Sequence, residues 1–179
     1  MTTPATIWIT GITASGKTTL GRKLYQYLQS LYPEDRLEFL DGDEIRKKLD
    51  REYGHSTSER MAVLGKIVEM AEALNQRGKI VIVSTVSHKK EMREFARSRI
   101  AHFFEVYLQC SVKDCAERDY KGHYQKAMAG EYDLFAGVTE PYETSEAPEL
   151  VLDTASQSIE VCSQTLCDRV TDFLTHLNP

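Results

Sequence analysis

No stretch of this chain approaches the ~18 consecutive apolar residues that a membrane-crossing helix needs, and no block of like charge is long enough to act as a tail. Cysteine is sparse. Cys110, Cys115, Cys162 and Cys167 fall in two pairs, each with four residues between its members, which matches neither C-x-x-C nor a zinc-ribbon spacing. They read as small hydrophobes rather than ligands or a disulfide framework. Basic residues are outnumbered, 22 Lys and Arg against 27 Asp and Glu, for a net charge of −5. That balance argues against nucleic acid as the main partner. The opening "MTTPATIWIT" has no basic region followed by a long apolar stretch, so neither a signal peptide nor a transit peptide is expected. The expected location is the cytoplasm, with no membrane partner. Internal repeats, low-complexity segments and the N-K-x-D element of guanine-specific switches are also missing.

The chain has 179 residues, 41% hydrophobic and 27% charged, enough to bury roughly 70% of its unfolded surface around one core. One domain spanning residues 1–179 is expected. Short apolar runs recur at 6–10 (TIWIT), 37–41 (LEFLD), 79–85 (KIVIVST), 103–109 (FFEVYLQ) and 149–153 (ELVLD). The third has no polar alternation at its centre, as in a strand covered on both faces. Amphipathic stretches lie between the runs. In the clearest, Val63, Leu64, Ile67, Val68, Ala71 and Leu74 form one stripe, with Ser56 and Glu59 as a capping box and Gly78 as a stop. Strand, helix, strand repeated five times predicts an α/β fold with a parallel five-stranded sheet flanked by helices.

Residues 11–18, GITASGKT, fit G-x-x-x-x-G-K-[ST] between a predicted strand and a predicted helix. In that setting Gly11, Ala14, Ser15, Gly16, Lys17, Thr18 and Thr19 make an ATP site. Successive backbone N–H groups turn inward, the helix adds its positive end, Lys17 reaches the outer phosphates and Thr18 ligates Mg²⁺. A motor-type ATPase would end the adjacent strand in an acid, whereas KIVIVST ends in Ser84 and Thr85. The acids stand instead in LDGDEIR, where Asp41 and Asp43 follow a strand and precede a helix, at the carboxyl edge of the sheet. One would organise Mg²⁺ and the other orient or deprotonate an acceptor hydroxyl. Arg46, one turn on, would pair with an anionic group of the acceptor. Residues 118–148 carry no clear strand or helix pattern, and a segment that long is expected to be functional, for instance a mobile lid. Arg118, Lys121 and Lys126 supply cations there, interleaved with Tyr120, Tyr124 and Phe135.

The order GITASGKTT, LDGDEIR, ERDYKGHYQKAMAGEYDLFAGVTEPYE and LVLDT resembles the adenylylsulfate kinases, which use MgATP to phosphorylate the 3′-hydroxyl of adenosine 5′-phosphosulfate. The resemblance spans about residues 6–165. It implies a P-loop kinase fold, a small nucleotide as acceptor and a homodimer. It also implies Asp43 as a metal-organising or base residue, Arg46 and Arg60 on the acceptor's anionic part, and Phe135 stacked on its base. Ser87 would lie near the acceptor, and Arg118 and Thr154 near the donor adenine. Departures cluster on the acceptor side. Glu44 stands where asparagine is usual, Gly54-His55 replaces Gly-Phe, and Val63 and Gly65 replace asparagine and arginine. Ser87-His88-Lys89-Lys90 replaces Ser-Pro-Tyr-Arg, and Tyr120 and Met128 stand for proline and arginine. With a related small nucleotide as acceptor, His55 would still stack on the base and Lys89 or Lys90 would meet an anionic group. Three alternatives stay open: a related acceptor such as cytidine diphosphoramidate in surface-polysaccharide modification, a nucleotide-binding protein without chemistry, and a kinase domain of the kind fused to a sulfurylase.

Overall fold

The computed structural model describes residues 3–49, 53–54, 56–119 and 121–178. Strand β1 (Ala5–Thr10) runs into the phosphate loop and helix α1 (Lys17–Gln29). Strand β2 (Leu37–Asp41) leads directly into α2 (Gly42–Lys48), followed by α3 (Thr57–Gln76) and β3 (Ile80–Ser84). Then come α4 (Lys90–Arg99), β4 (Phe103–Gln109), α5 (Val112–Glu117), α6 (His123–Met128), β5 (Leu150–Asp153) and α7 (Ile159–His176). The five strands form one parallel sheet in the order β2-β3-β1-β4-β5. Each predicted run is a strand, with ends shifted by at most one residue.

Strands β1 and β3 show why the third run has no polar alternation at its centre. All of Ala5–Thr10 are fully buried because both faces of the sheet are covered. Ile7, Ile9, Ile80 and Ile82 pack toward Leu20, Leu24 and Leu28 of α1 and Leu166, Val170 and Leu174 of α7. Trp8, Val81 and Val83 point the other way, into Val63, Leu64, Ile67, Val68 and Ala71 of α3 and Met92 and Ala96 of α4. Each such apolar side chain contributes about 1.5–3 kcal/mol relative to exposure, so two covers on one strand order suit an α/β sandwich.

The ends of α3 follow the sequence signals. Ser56 Oγ accepts from Glu59 N at 3.3 Å while the Glu59 carboxylate accepts from Ser56 N. Gly78, at φ 81°, lets its N–H and that of Lys79 return to the carbonyls of Asn75 and Leu74. Between 118 and 148 the structure differs from the sequence reading. This segment contains the six-residue helix α6 and an isolated bridge between Ala136 and Glu140. Six residues are too few to display a helical period, and Gly122 (φ 69°) rather than a side chain starts the turn. The segment rests on a small core of its own, Ile12, Cys115 and Tyr124 with Phe135, Val138 and Tyr142 against them. Cys115, Cys162 and Cys167 are buried and Cys110 half-buried, all as free thiols.

Parallel pairing brings the carboxyl ends of β1, β2 and β3 together, since Ile9 and Asp41 both register with Ser84. Gly11 begins the turn out of β1 with no room for a side chain. A Cβ there would lie 2.8 Å from Ser15 Oγ and 2.9 Å from the Leu108 carbonyl oxygen. Gly11→Ala is expected to destabilise the fold by about 1–3 kcal/mol, read as a lowered denaturation midpoint. An unchanged midpoint would show that the loop is not packed this way.

Candidate active site

The phosphate loop turns through left-handed backbone at Ala14 (φ 61°) and Gly16 (φ 101°). A non-glycine residue there costs roughly 1–2 kcal/mol, so the surroundings hold Ala14 in place. No side chain caps the start of α1, which leaves its first N–H groups for an anion. Lys17 Nζ donates to the Ile12 carbonyl at 2.7 Å. Lys17 lines the cavity described below, and the protein crowds its ammonium. Burial lowers its pKa to about 8 against the opposing pull of Asp43, Cys115 and Asp41. Thr18 Oγ1 donates to Asp41 Oδ2 at 2.7 Å. The other oxygen of Asp41 accepts from the N–H groups of Asp43 and Glu44 at 3.0 and 3.3 Å, capping α2. Both Asp41 oxygens are thereby engaged. Among the described residues no hydrogen bond engages the Asp43 carboxylate.

Two cavities meet at this edge. The first, of about 570 Å³, is lined by Ala14–Thr19, Asp41, Asp43, Arg118 and Thr154, and closes on apolar Leu20, Ile159 and Cys162. Thr154 Oγ1 donates to the Ser15 carbonyl at 3.0 Å, and Arg118 Nη2 to the Thr154 carbonyl at 2.8 Å. Ser15 Oγ is buried without a described partner. Gly11 lies beneath the loop and does not line the cavity. The second, of about 410 Å³, is lined by Asp43, Arg46, Arg60, Ser87, Lys121 and Phe135 among others. Thr13, Asp43, Thr85, Val86, Lys121 and His123 line both.

The second cavity favours an anion with an aromatic group. Arg46 donates to the carbonyls of Gly54 and Tyr53, at 2.7 and 3.1 Å, and Arg60 to that of Leu134 at 2.6 Å. Burial lowers the pKa of both guanidiniums; for Arg60 the nearby charge of Arg46 adds to the lowering, against the pull of Glu140. A bound anion would relieve that repulsion. Phe135 meets Tyr124 edge-on at 5.0 Å and stacks with Tyr132 at 5.8 Å. Ser87 sits in left-handed backbone (φ 42°), held by Trp8 Nε1, which donates to its hydroxyl at 3.3 Å, and by Arg93, which donates to its carbonyl at 2.6 Å. It lines the second cavity alone. His55 and Tyr120 lie outside the described residues.

Two expectations are corrected. Lys89 and Lys90 line neither cavity. Lys89 Nζ is 3.3 Å from Glu140 and 3.6 Å from Glu143, and Lys90 pairs with Glu146. Acids on the 140–146 stretch lie against both ammonium groups. Lys126 also lines neither cavity. Sequence reasoning missed Thr13, Thr85, His123 and Tyr132. It also missed the buried His88–Glu140 pair, whose Nε2 and Oε2 are 2.9 Å apart with the N–H off the line between them. Burial pushes the His88 pKa below its ordinary value despite Glu140. Burial would raise Glu140, but His88 and Lys89 outweigh it and hold the carboxyl low. The carboxyl-edge rule that located Asp41 would also have pointed to Thr85.

A cavity on a phosphate loop and a cavity lined by two guanidiniums and Phe135 thus share one wall, which carries the Asp43 carboxylate. The family profile of adenylylsulphate kinase matches residues 3–153. The chain belongs to the adenylylsulphate kinase family. It is 41% identical over 157 residues to the adenylyl-sulfate kinase of Synechococcus sp. (strain JA-3-3Ab), covering 88% of each chain. It is 45% identical over 148 residues to the probable adenylyl-sulfate kinase of Archaeoglobus fulgidus, covering 83% of this chain and 94% of that one. Among solved structures, the Mycobacterium tuberculosis APS kinase CysC in complex with AMPPNP and APS superposes with a TM-score of 0.88 at 32% identity, over 96% of this chain and 99% of that one. The P-loop kinase fold of the adenylylsulphate kinases, phosphotransferases with a hydroxyl acceptor and ATP as donor, is therefore that of this chain.

Lys17 supplies a test of the donor cavity. Its folded-state pKa, about 8, lies below the ordinary lysine value, and a triphosphate favours the ammonium. Affinity for MgAMPPNP is expected to fall as pH rises through 8, with proton uptake on binding above that pH. Calorimetry in buffers of different ionisation enthalpy measures the uptake. It should vanish in Lys17→Met, together with at least tenfold in affinity.

Proposed function

We propose that this protein is an ATP-dependent kinase that transfers the γ-phosphoryl group to the 3′-hydroxyl of adenosine 5′-phosphosulfate. The observation that carries the reading is the shared wall. Asp43 lies on both cavities, and its carboxylate takes part in no hydrogen bond among the described residues. Ala14–Thr19 hold the phosphates, with Arg118 and Thr154 toward the adenine. Arg46, Arg60 and Phe135 hold the acceptor's anion and base, and Ser87 shapes the wall beside them. The hard oxygens of Thr18 and Asp43 would suit Mg²⁺, which keeps several waters and binds largely through phosphates, with Asp41 holding the Thr18 hydroxyl. Bound there with ATP, the ion would supply positive charge to offset the negative charge of the phosphates.

In the reaction the acceptor oxygen bonds to Pγ as the bond from Pγ to the ADP oxygen breaks. Asp43 orients the hydroxyl and takes its proton. Lys17 and Lys121 offset the charge on the phosphoryl oxygens, so catalysis is mostly positioning and electrostatics. Asp43→Asn is expected to lower kcat by about 10²–10⁴, with MgAMPPNP still bound.

A second reading keeps the chemistry and changes the acceptor to a related nucleotide such as cytidine diphosphoramidate. It is favoured by Val63, which gives the acceptor wall an apolar surface where asparagine is usual in the family. Measuring ATP consumption with adenylylsulfate beside cytidine and uridine diphospho-type acceptors separates the two. Turnover with adenylylsulfate supports the first reading, and turnover only with a pyrimidine compound replaces it. The reading further takes the enzyme as one domain, cytoplasmic and homodimeric, supported by the family resemblance.

Part of the 118–148 segment closes as a lid in this account. Residues 140–146 are pinned to the start of α4: Glu143 N donates to the His88 carbonyl at 2.8 Å, and its carboxylate accepts from Lys90 N at 2.7 Å. The lid reading is therefore restricted to about 118–138, where closure would have to keep or exchange the Arg118–Thr154, Tyr124–Thr13 and Arg60–Leu134 bonds. MgAMPPNP with adenylylsulfate is expected to slow proteolysis there and leave cleavage elsewhere unchanged; equal rates with and without ligand would remove the lid.

A further inference from the structure

While Lys17 faces it from the donor side alone, a phosphoryl group passing from ATP to an acceptor crosses the wall common to both cavities. Of the residues there, Asp43, Lys121 and His123 have ionisable side chains. Asp43 is an anion and approaches phosphoryl oxygens only through a cation. Two main-chain acceptors are already occupied, the Thr13 carbonyl by the Tyr124 hydroxyl at 2.7 Å and the Val86 carbonyl by Thr10 at 2.6 Å. His123 is the imidazole of the shared wall, and no role has been given to it above.

In the conformation described, His123 is tied to the phosphate loop. Its chain neighbour Tyr124 is 1% exposed and bonded to the phosphate loop through that Thr13 carbonyl. The backbone N–H of Tyr124 donates to the Asp119 carboxylate at 2.6 Å. The ring is oriented as well. His123 Nδ1 lies 3.1 Å from the Tyr132 hydroxyl, and Tyr132 stacks on Phe135. With the tyrosine O–H donating to Nδ1, the imidazole proton resides on Nε2. The protonated ring presents the same N–H with a charge added.

We propose that His123 is a catalytic residue whose Nε2–H hydrogen-bonds the phosphoryl group in transit, with Tyr132 fixing the ring. The inference rests on the phosphotransfer reading of the site and deepens it. The bonds that change are the two to Pγ, and the acceptor proton goes to Asp43. His123 keeps its proton throughout and acts as an oriented donor, as oxyanion-stabilising groups do.

Kinetics and a spectroscopic probe test it together. His123→Leu is expected to lower kcat on the order of a hundredfold, with KM for ATP, MgAMPPNP affinity and the melting temperature little changed. His123→Gln, which keeps an N–H donor, should recover part of the loss. Tyr132→Phe should cause a smaller fall that disappears in the His123→Leu background. Independently of the acceptor, the His123 Cε1–H resonance, assigned by its loss in His123→Gln, should shift when MgADP with aluminium fluoride binds and stay in place with MgADP alone. An unmoved resonance, or full kcat in His123→Leu, overturns the proposal. If adenylylsulfate fails as acceptor while the resonance still responds, the acceptor reading falls and the role of His123 stands.

Discussion

Asp41 is the joint on which the site depends. One carboxylate oxygen accepts the hydroxyl proton of Thr18 at 2.7 Å, and the other caps α2. A single buried side chain thus couples the first turn of α1 to the first turn of α2, two helices that leave different strands. The coupling sets where Asp43 stands. Because Asp41 spends its oxygens on the joint, the neighbouring acid remains open to both cavities, and two carboxylates of similar sequence context have different surroundings. Packing alone would not do this, since a hydrophobic contact fixes neither the direction of a helix start nor the aim of a carboxylate.

The donor half and the acceptor half are built differently. Main-chain groups, one lysine and a helix start make the first, and such parts tolerate little change because Gly11 and Ser15 are packed without slack. Side chains from α2, α3, the 118–148 segment and the turn after β3 make the second. Behind its apolar lining of Val63, Leu64, Ile67 and Met92, the turn that carries Ser87 is also braced by charge. Arg93, 3% exposed, donates to the carbonyls of Ser87 and Glu143 and lies 3.4 Å from Glu105, itself buried on β4. Removing one member of so buried a set strands its partner, a larger penalty than the loss of one contact.

The sheet was legible in the sequence because a strand covered on both faces leaves an unbroken apolar run, as TIWIT and KIVIVST do. The ends of α3 were legible because capping uses residues three apart, Ser56 and Glu59. Asp41 and Asp43 followed from the place of ligands at the carboxyl edge of a parallel sheet. What stayed hidden depends on contacts between distant residues. Lys89 and Lys90 are basic and follow a strand, which reads as a ligand site until Glu140, Glu143 and Glu146 are seen to lie against them. His123 is unremarkable in the chain, and only the meeting of two cavities gives it a place. The helix α6 is too short for periodicity, and its start is a glycine rather than a capping side chain.

Trp8 is the only tryptophan in the chain. Its ring is wholly buried in the central strand, packed 5.7 Å from Phe103, while its N–H reaches Ser87 on the acceptor wall. An indole in that position is a built-in fluorophore with one end in rigid core and the other on the substrate side. Its emission colour and lifetime register the state of the turn after β3 without any label, so events in the acceptor half can be followed optically while the donor half remains dark.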